Sequence, residues 1–117
     1  MNLEPIFADC CSEINIVLAD EVLQNQDSKQ GEYKIENDLV NARNHWTSLD
    51  GNQALWYDSL VNNKWMIGKS SNRGSSTAGI FSAYDSVCPN QNKMKHKYWN
   101  GSSWLLAPKN SISLICS

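Results

Sequence analysis

Histidine is scarce in this 117-residue chain: only His45 and His96 are present. That leaves few groups able to act as a general base or to ligate a metal near neutral pH. The four cysteines, Cys10, Cys11, Cys88 and Cys116, contain no C-x-x-C spacing, so neither a zinc site nor a thioredoxin-like redox centre is expected. There is no nucleophile elbow, no phosphate-cradling glycine loop and no calcium-loop pattern. No cofactor and no resident metal are therefore expected. No run approaches the roughly 18 apolar residues that span a bilayer, which argues against membrane insertion. The opening MNLEPIFADCC has neither a basic n-region nor an apolar h-region, so it does not read as a secretory signal. Each half is short of one charge. Up to Asp58 the only bases are Lys29, Lys34 and Arg43; after Asp58 the only acid is Asp85. Such a split produces a dipolar surface unless the two signs mix in the folded molecule, and it leaves self-association open. The net charge of −2 speaks against nucleic acid.

What is abundant points to strands. Five Trp and four Tyr, with frequent Asn and Ser, describe an aromatic-rich, turn-rich chain. The length fits one domain, read as residues 10–117 behind a tail or linker of residues 1–9. Ile14, Ile16 and Leu18 alternate as a first strand. The polar stretch from Asp20 to Gln30 reads as one short helical turn and a loop, followed by a strand at Glu32 to Ile35. Asn41 to Ser48 reads as an extended segment ending at an Asp50-Gly51 turn. Ala54 to Asp58 and Lys64 to Gly68 form a hairpin across Asn62-Asn63, with Trp56, Tyr57 and Trp65 in the core. Lys69 to Ala78 reads as a mobile Gly/Ser-rich loop, Ile80 to Tyr84 as a strand, and Cys88-Pro89-Asn90 as a turn. Asn100-Gly101 predicts a two-residue I′ turn, which opposes Trp99 to Ser102 and Lys97 to Trp104 and puts all four on one face. The chain closes on the alternation Ile112, Leu114, Cys116.

A bridge between the neighbours Cys10 and Cys11 is disfavoured by the usual Cα separation. Two pairings remain: Cys10–Cys88 with Cys11–Cys116, or Cys10–Cys116 with Cys11–Cys88. Either staples the N-terminal segment to the last strand and to the Cys88 loop, and either implies an oxidising compartment. Four reduced thiols in a cytosolic protein is the competing reading.

No residue is assigned a catalytic role. His45, beside Trp46, reads as a hydrogen-bonded structural histidine. His96 lies among Lys93, Lys95 and Lys97, whose charges should depress its pKa. The candidate ligand-binding residues are Trp99 and Trp104, which flank a tight turn, with Lys97 and Arg73. An aromatic pair at a hairpin tip can stack on a sugar ring or enter a partner's pocket; the alternative packs both onto the sheet beside Leu105 and Leu106. The lysine cluster reads as a solvated face or as a site for sulfate or phosphate groups. Asn100-Gly101-Ser102 also fits the N-glycosylation acceptor pattern.

The ordered set Cys11-x-x-Ile14-x-Ile16-Val17, Gly31-x-Tyr33, Asn41-x-Arg43, Leu55-Trp56-Tyr57, Trp65-x-Ile67-Gly68, Cys88-Pro89, Tyr98-Trp99-Asn100-Gly101-x-x-Trp104 and Ile112-x-Leu114-x-Cys116 spans Cys11 to Cys116. It resembles a Trp/Tyr-rich, Cys-containing module found singly or in tandem in extracellular proteins of invertebrates and protists. Where that pattern carries Asn-Gly-Arg-Pro, this chain has Asn41-Ala42-Arg43-Asn44. The resemblance implies an extracellular location and a module character, with no activity attached.

The expected fold is all-β: about seven or eight short antiparallel strands in a compact sandwich or rolled sheet, stapled by two disulfides. The expected function is non-catalytic recognition or adhesion outside the cell, on a glycan or a protein surface. A structural building block of a matrix, coat or ciliary surface is the alternative, and a small secreted enzyme or enzyme inhibitor a third reading.

Overall fold

The computed structural model describes residues 10–61, 63–83, 85–90 and 95–117. The expected tail at residues 1–9 lies outside them, as do Asn62, Tyr84 and Lys93. Among the described residues nine strands form one antiparallel sheet in the order β8-β7-β6-β5-β4-β3-β2-β1-β9. They are β1 Glu13–Leu18, β2 Gly31–Ile35, β3 Trp46–Ser48, β4 Gln53–Asp58, β5 Lys64–Lys69, β6 Ile80–Ser82, β7 His96–Trp99, β8 Trp104–Leu106 and β9 Ile112–Cys116. Only β9 is out of sequence order: it crosses back to pair with β1, from Leu18↔Ile112 to Ile14↔Cys116.

Strand alternation decides which way the sheet curls. Ile14 and Ile16 of β1, Tyr33 of β2, Trp46 of β3, Leu55 and Tyr57 of β4, Trp65 and Ile67 of β5, Ile80, Tyr98 and Ile112 all join one buried cluster. Strands far apart in sheet order share that cluster, so the sheet wraps around it as a half-barrel. The segment Asp20–Gln26 is a full α-helix (α1), continued by a 3-10 turn at Asp27–Lys29, and not one short turn. Its Val22 enters the core. Gln26 Nε2 donates to the Trp99 carbonyl at 2.6 Å and Tyr98 donates to Glu21 at 3.2 Å, fixing the helix across β7.

The outer face carries a second cluster, Ala54, Trp56 and Met66, packed by Val40, Ala78 and Phe81. This explains why β4 is buried at every position. The cover is the segment expected as a mobile loop. A 3-10 turn at Ser70–Asn72 folds it back, and the Ser75 carbonyl accepts from Trp56 Nε1 at 2.9 Å. Close packing there requires glycine: a Cβ on Gly68 would stand 3.0 Å from Ala78 and 3.1 Å from the Trp56 ring.

Two turns differ from expectation. Asn41 and Ala42, inside the expected extended segment, both hold positive φ (52° and 66°) and close a tight reversal with Val40 and Arg43 bonded on each side. Asn100-Gly101 does not make a two-residue turn. Trp99 pairs with Trp104 across a four-residue loop, Asn100–Ser103. The Asn100 side-chain oxygen accepts from the amides of Ser102 and Ser103 at 2.9 and 2.8 Å, and this Asx capping favours the longer loop.

The disulfides are Cys10–Cys88 and Cys11–Cys116, with Cα separations of 5.6 and 5.8 Å. Of the two pairings open to the sequence, this one ties the vicinal cysteines to the Cys88 turn and to β9.

Candidate functional site

The register of β5 to β8 builds a row on the outer face. Met66 opposes Phe81, Phe81 opposes Lys97, and Lys97 opposes Leu106. One step along, Trp99 opposes Trp104. Lys97 therefore shares the face of both tryptophans, but its cross-strand partner is Leu106 rather than Trp104, because the longer loop moves the register by two residues.

Trp99 and Trp104 meet edge to face, ring centroids 5.5 Å apart, and Trp104 leans on Phe81 at 4.7 Å. The Lys64 ammonium stands 5.0 Å from the Phe81 ring centre, a cation–π distance. Even so packed, Trp99 is 38% and Trp104 42% exposed, and Leu106 is 56% exposed. The two sequence readings of this pair combine: each ring rests on a neighbour, and each keeps a broad surface in water. The backbone beneath is fixed, because inward-facing Tyr98 is buried in the core and Gly79 accepts from the Trp99 amide at 2.9 Å. Phe81 and Lys64 were not singled out in the sequence. The signal was the alternation of inward Ile80 with outward Phe81.

Arg73 lies elsewhere. It donates to His45 Nδ1 at 2.9 Å and to Thr47 Oγ1 at 2.7 Å, with Glu36 at 3.8 Å. Thr47 is on β3, four strands from β7 and so roughly 19 Å across the sheet from Lys97. Arg73 thus belongs to a polar clasp on the outer face and not to the aromatic pair. Because Arg is always a donor, Nδ1 of His45 is the acceptor and Nε2 carries the proton, donating to Asp38 at 2.7 Å. That bond is the first cause holding the Asp38 carboxyl below its ordinary range. His45 is the structural histidine expected from sequence, 2% exposed and bonded at both nitrogens.

His96 faces inward on β7. Burial pushes its pKa down to about 4, so desolvation, rather than the neighbouring lysines, sets the shift. Arg43 stacks on Tyr57 at 3.8 Å and donates to the Ser86 carbonyl at 2.9 Å. Burial, then the Tyr57 hydrogen bond to Asp85, raises that phenol to about 12. Both contacts hold the Cys88 loop against β4. Among the described residues, no group of three His, Cys, Asp or Glu side chains is placed to hold a metal ion.

Comparison with protein families, with curated proteins and with solved structures finds no match for this chain.

Proposed function

We propose that this domain is a non-catalytic extracellular recognition module that binds glycan through the outer face of the β7–β8 hairpin. The observation that carries the reading is the tryptophan pair: two indoles held edge to face at 5.5 Å, each more than a third exposed, on a ribbon pinned by core residues. A pyranose ring offers a face of C–H bonds that packs on an indole, and a preordered aromatic loses little entropy on binding. Lys97 on the same face and Lys64 beside Phe81 favour sugars bearing sulfate or carboxylate groups. A protein surface is the second ligand class, favoured by exposed Leu106 next to Lys97.

The extracellular placement rests on the two disulfides, which persist in oxidising compartments, and on the resemblance to extracellular Trp/Tyr-rich modules. No helix among the described residues is long and apolar enough to cross a membrane. The reading as non-catalytic rests on the histidines: His45 is used at both nitrogens in the clasp, and His96 is largely buried at the wall of a cleft.

The test is glycan-array screening followed by calorimetry on the wild type and on Trp99→Ala/Trp104→Ala. Both side chains are partly exposed, so the double variant should keep its fold. Loss of at least tenfold in affinity is expected for the double variant, and about threefold weaker binding to sulfated ligands for Lys97→Ala. Undiminished binding by the double variant would sink the reading.

A further inference from the structure

The half-barrel leaves a seam where its two edge strands, β8 and β9, come round towards each other without pairing. A cleft of about 780 Å³ lies in this seam, walled by Leu106 and Ala107 on one side and by Ile112 to Ile115 on the other. That volume is within the range of about 300–1,000 Å³ typical of ligand sites.

The ladder shows what the cleft offers. Ala19 donates to the Ser111 carbonyl and Ser117 to the Glu13 carbonyl, so the odd-numbered residues of β9 bond inward to β1. The N–H and C=O groups of Ile112, Leu114 and Cys116 must then point the other way, along the free edge. Among the described residues no strand takes them up. On β8 the Ala107 amide bonds to the His96 carbonyl, which leaves the backbone groups of Trp104 and Leu106 directed outward. Natural edge strands are guarded by lysine, proline or a bulge. Neither WLL of β8 nor ISLIC of β9 contains a charge or a proline. Asn90 also lines the cleft, and its Nδ2 donates to Cys116 Sγ at 3.1 Å. The rim carries Lys95 and Lys109, both exposed.

We propose that this seam is a strand-addition site, which takes an extended apolar peptide segment with acidic residues at its ends. The peptide backbone pairs with the outward groups of Ile112, Leu114 and Cys116, and alternate side chains fill the apolar walls. A second copy of this chain fits poorly, because its β8 and β9 strands carry no acidic residue to meet the rim lysines. The lysines at the rim select the acidic ends. This site shares Leu106 with the outer face but uses neither indole, so its failure leaves the glycan reading standing.

The probe is a capped seven-residue peptide of alternating valine and threonine with an aspartate at each end, titrated into the full chain and followed by amide NMR and hydrogen exchange. Expected are shifts at Asn90, Leu106 and Ile112 to Cys116, and at least tenfold slower exchange of the Leu114 and Cys116 amides. The same peptide N-methylated at alternate residues should not bind. Leu114→Pro deletes one outward N–H while sparing the ladder to β1, and should weaken binding tenfold or more. Should that variant not fold, Ile115→Glu at an exposed position should weaken binding of the acidic peptide at least fivefold. Equal binding of the N-methylated peptide, shifts confined to Trp99 and Trp104, or no binding at millimolar peptide would each overturn the proposal. Uptake of decanoate into the cleft with no peptide binding would overturn it as well, since it would show a lipid pocket.

Discussion

At the scale of single residues, backbone conformation and burial outweigh the local sequence cues. Ala42 occupies positive φ at the second position of a tight turn, where a Cβ is strained and glycine is not. Ala42→Gly should therefore stabilise the domain, by about 1 kcal/mol, measured as a shift of the urea midpoint at unchanged m-value. His96 supplies the opposite kind of effect. Its folded pKa of about 4 is below the ordinary value, so the unfolded chain binds the proton first as pH falls. Stability should be complete above about pH 6.5 and decline by about 3 kcal/mol as pH falls towards 4. In His96→Leu that decline should flatten, and chemical denaturation at several pH values will decide it. The sequence suggested a depressed pKa from nearby lysines. The direction is right and the cause is not, because inward placement on β7 depends on strand register, which charge spacing does not encode.

At the scale of elements, periodicity was legible and loops were not. The alternations at Ile14 to Leu18 and Ile112 to Cys116 and the aromatic runs of β4 and β5 appear where expected. Asn100-Gly101 carried the strongest turn signal, yet the dipeptide sits in a four-residue loop, while the weaker Asn41-Ala42 forms the tight reversal. In each case a side chain decides: Asn100 caps its own loop, and Asn41 Nδ2 donates to the Tyr57 carbonyl at 2.8 Å. Such bonds depend on what lies opposite, which no dipeptide reveals. The tryptophan face was readable because Trp99 and Trp104 flank the loop under either register; Phe81 and Lys64 join only through sheet order. The segment covering the outer face was hidden for a similar reason, its Ser and Gly composition being that of a free loop. Its packing gives a prediction: Gly68→Ala should destabilise by about 1–3 kcal/mol, because Ala78 backbone and the Trp56 ring both block the new methyl. A thermal melt with unaltered Tm would contradict that packing.

At the scale of the whole molecule, the two disulfides close the longest loops the chain contains, with sequence separations of 78 and 105. In the chain-entropy picture each contributes about 4–5 kcal/mol. Cys10→Ser/Cys88→Ser should lower stability by that order, and alkylation with intact-mass measurement should find no free thiol in the native protein. The two candidate pairings were legible from the cysteine count; the choice between them depends on which way each of the adjacent Cys10 and Cys11 side chains points, which a cysteine count does not encode. The Cys11–Cys116 bridge also has a mechanical meaning. When the chain is pulled from the residues flanking this pair, tension runs through one covalent link and bypasses the sheet. The intervening polypeptide, roughly 360 Å if drawn out, stays slack, so the oxidised domain behaves as an inextensible link whose hidden length is released only by a reductant.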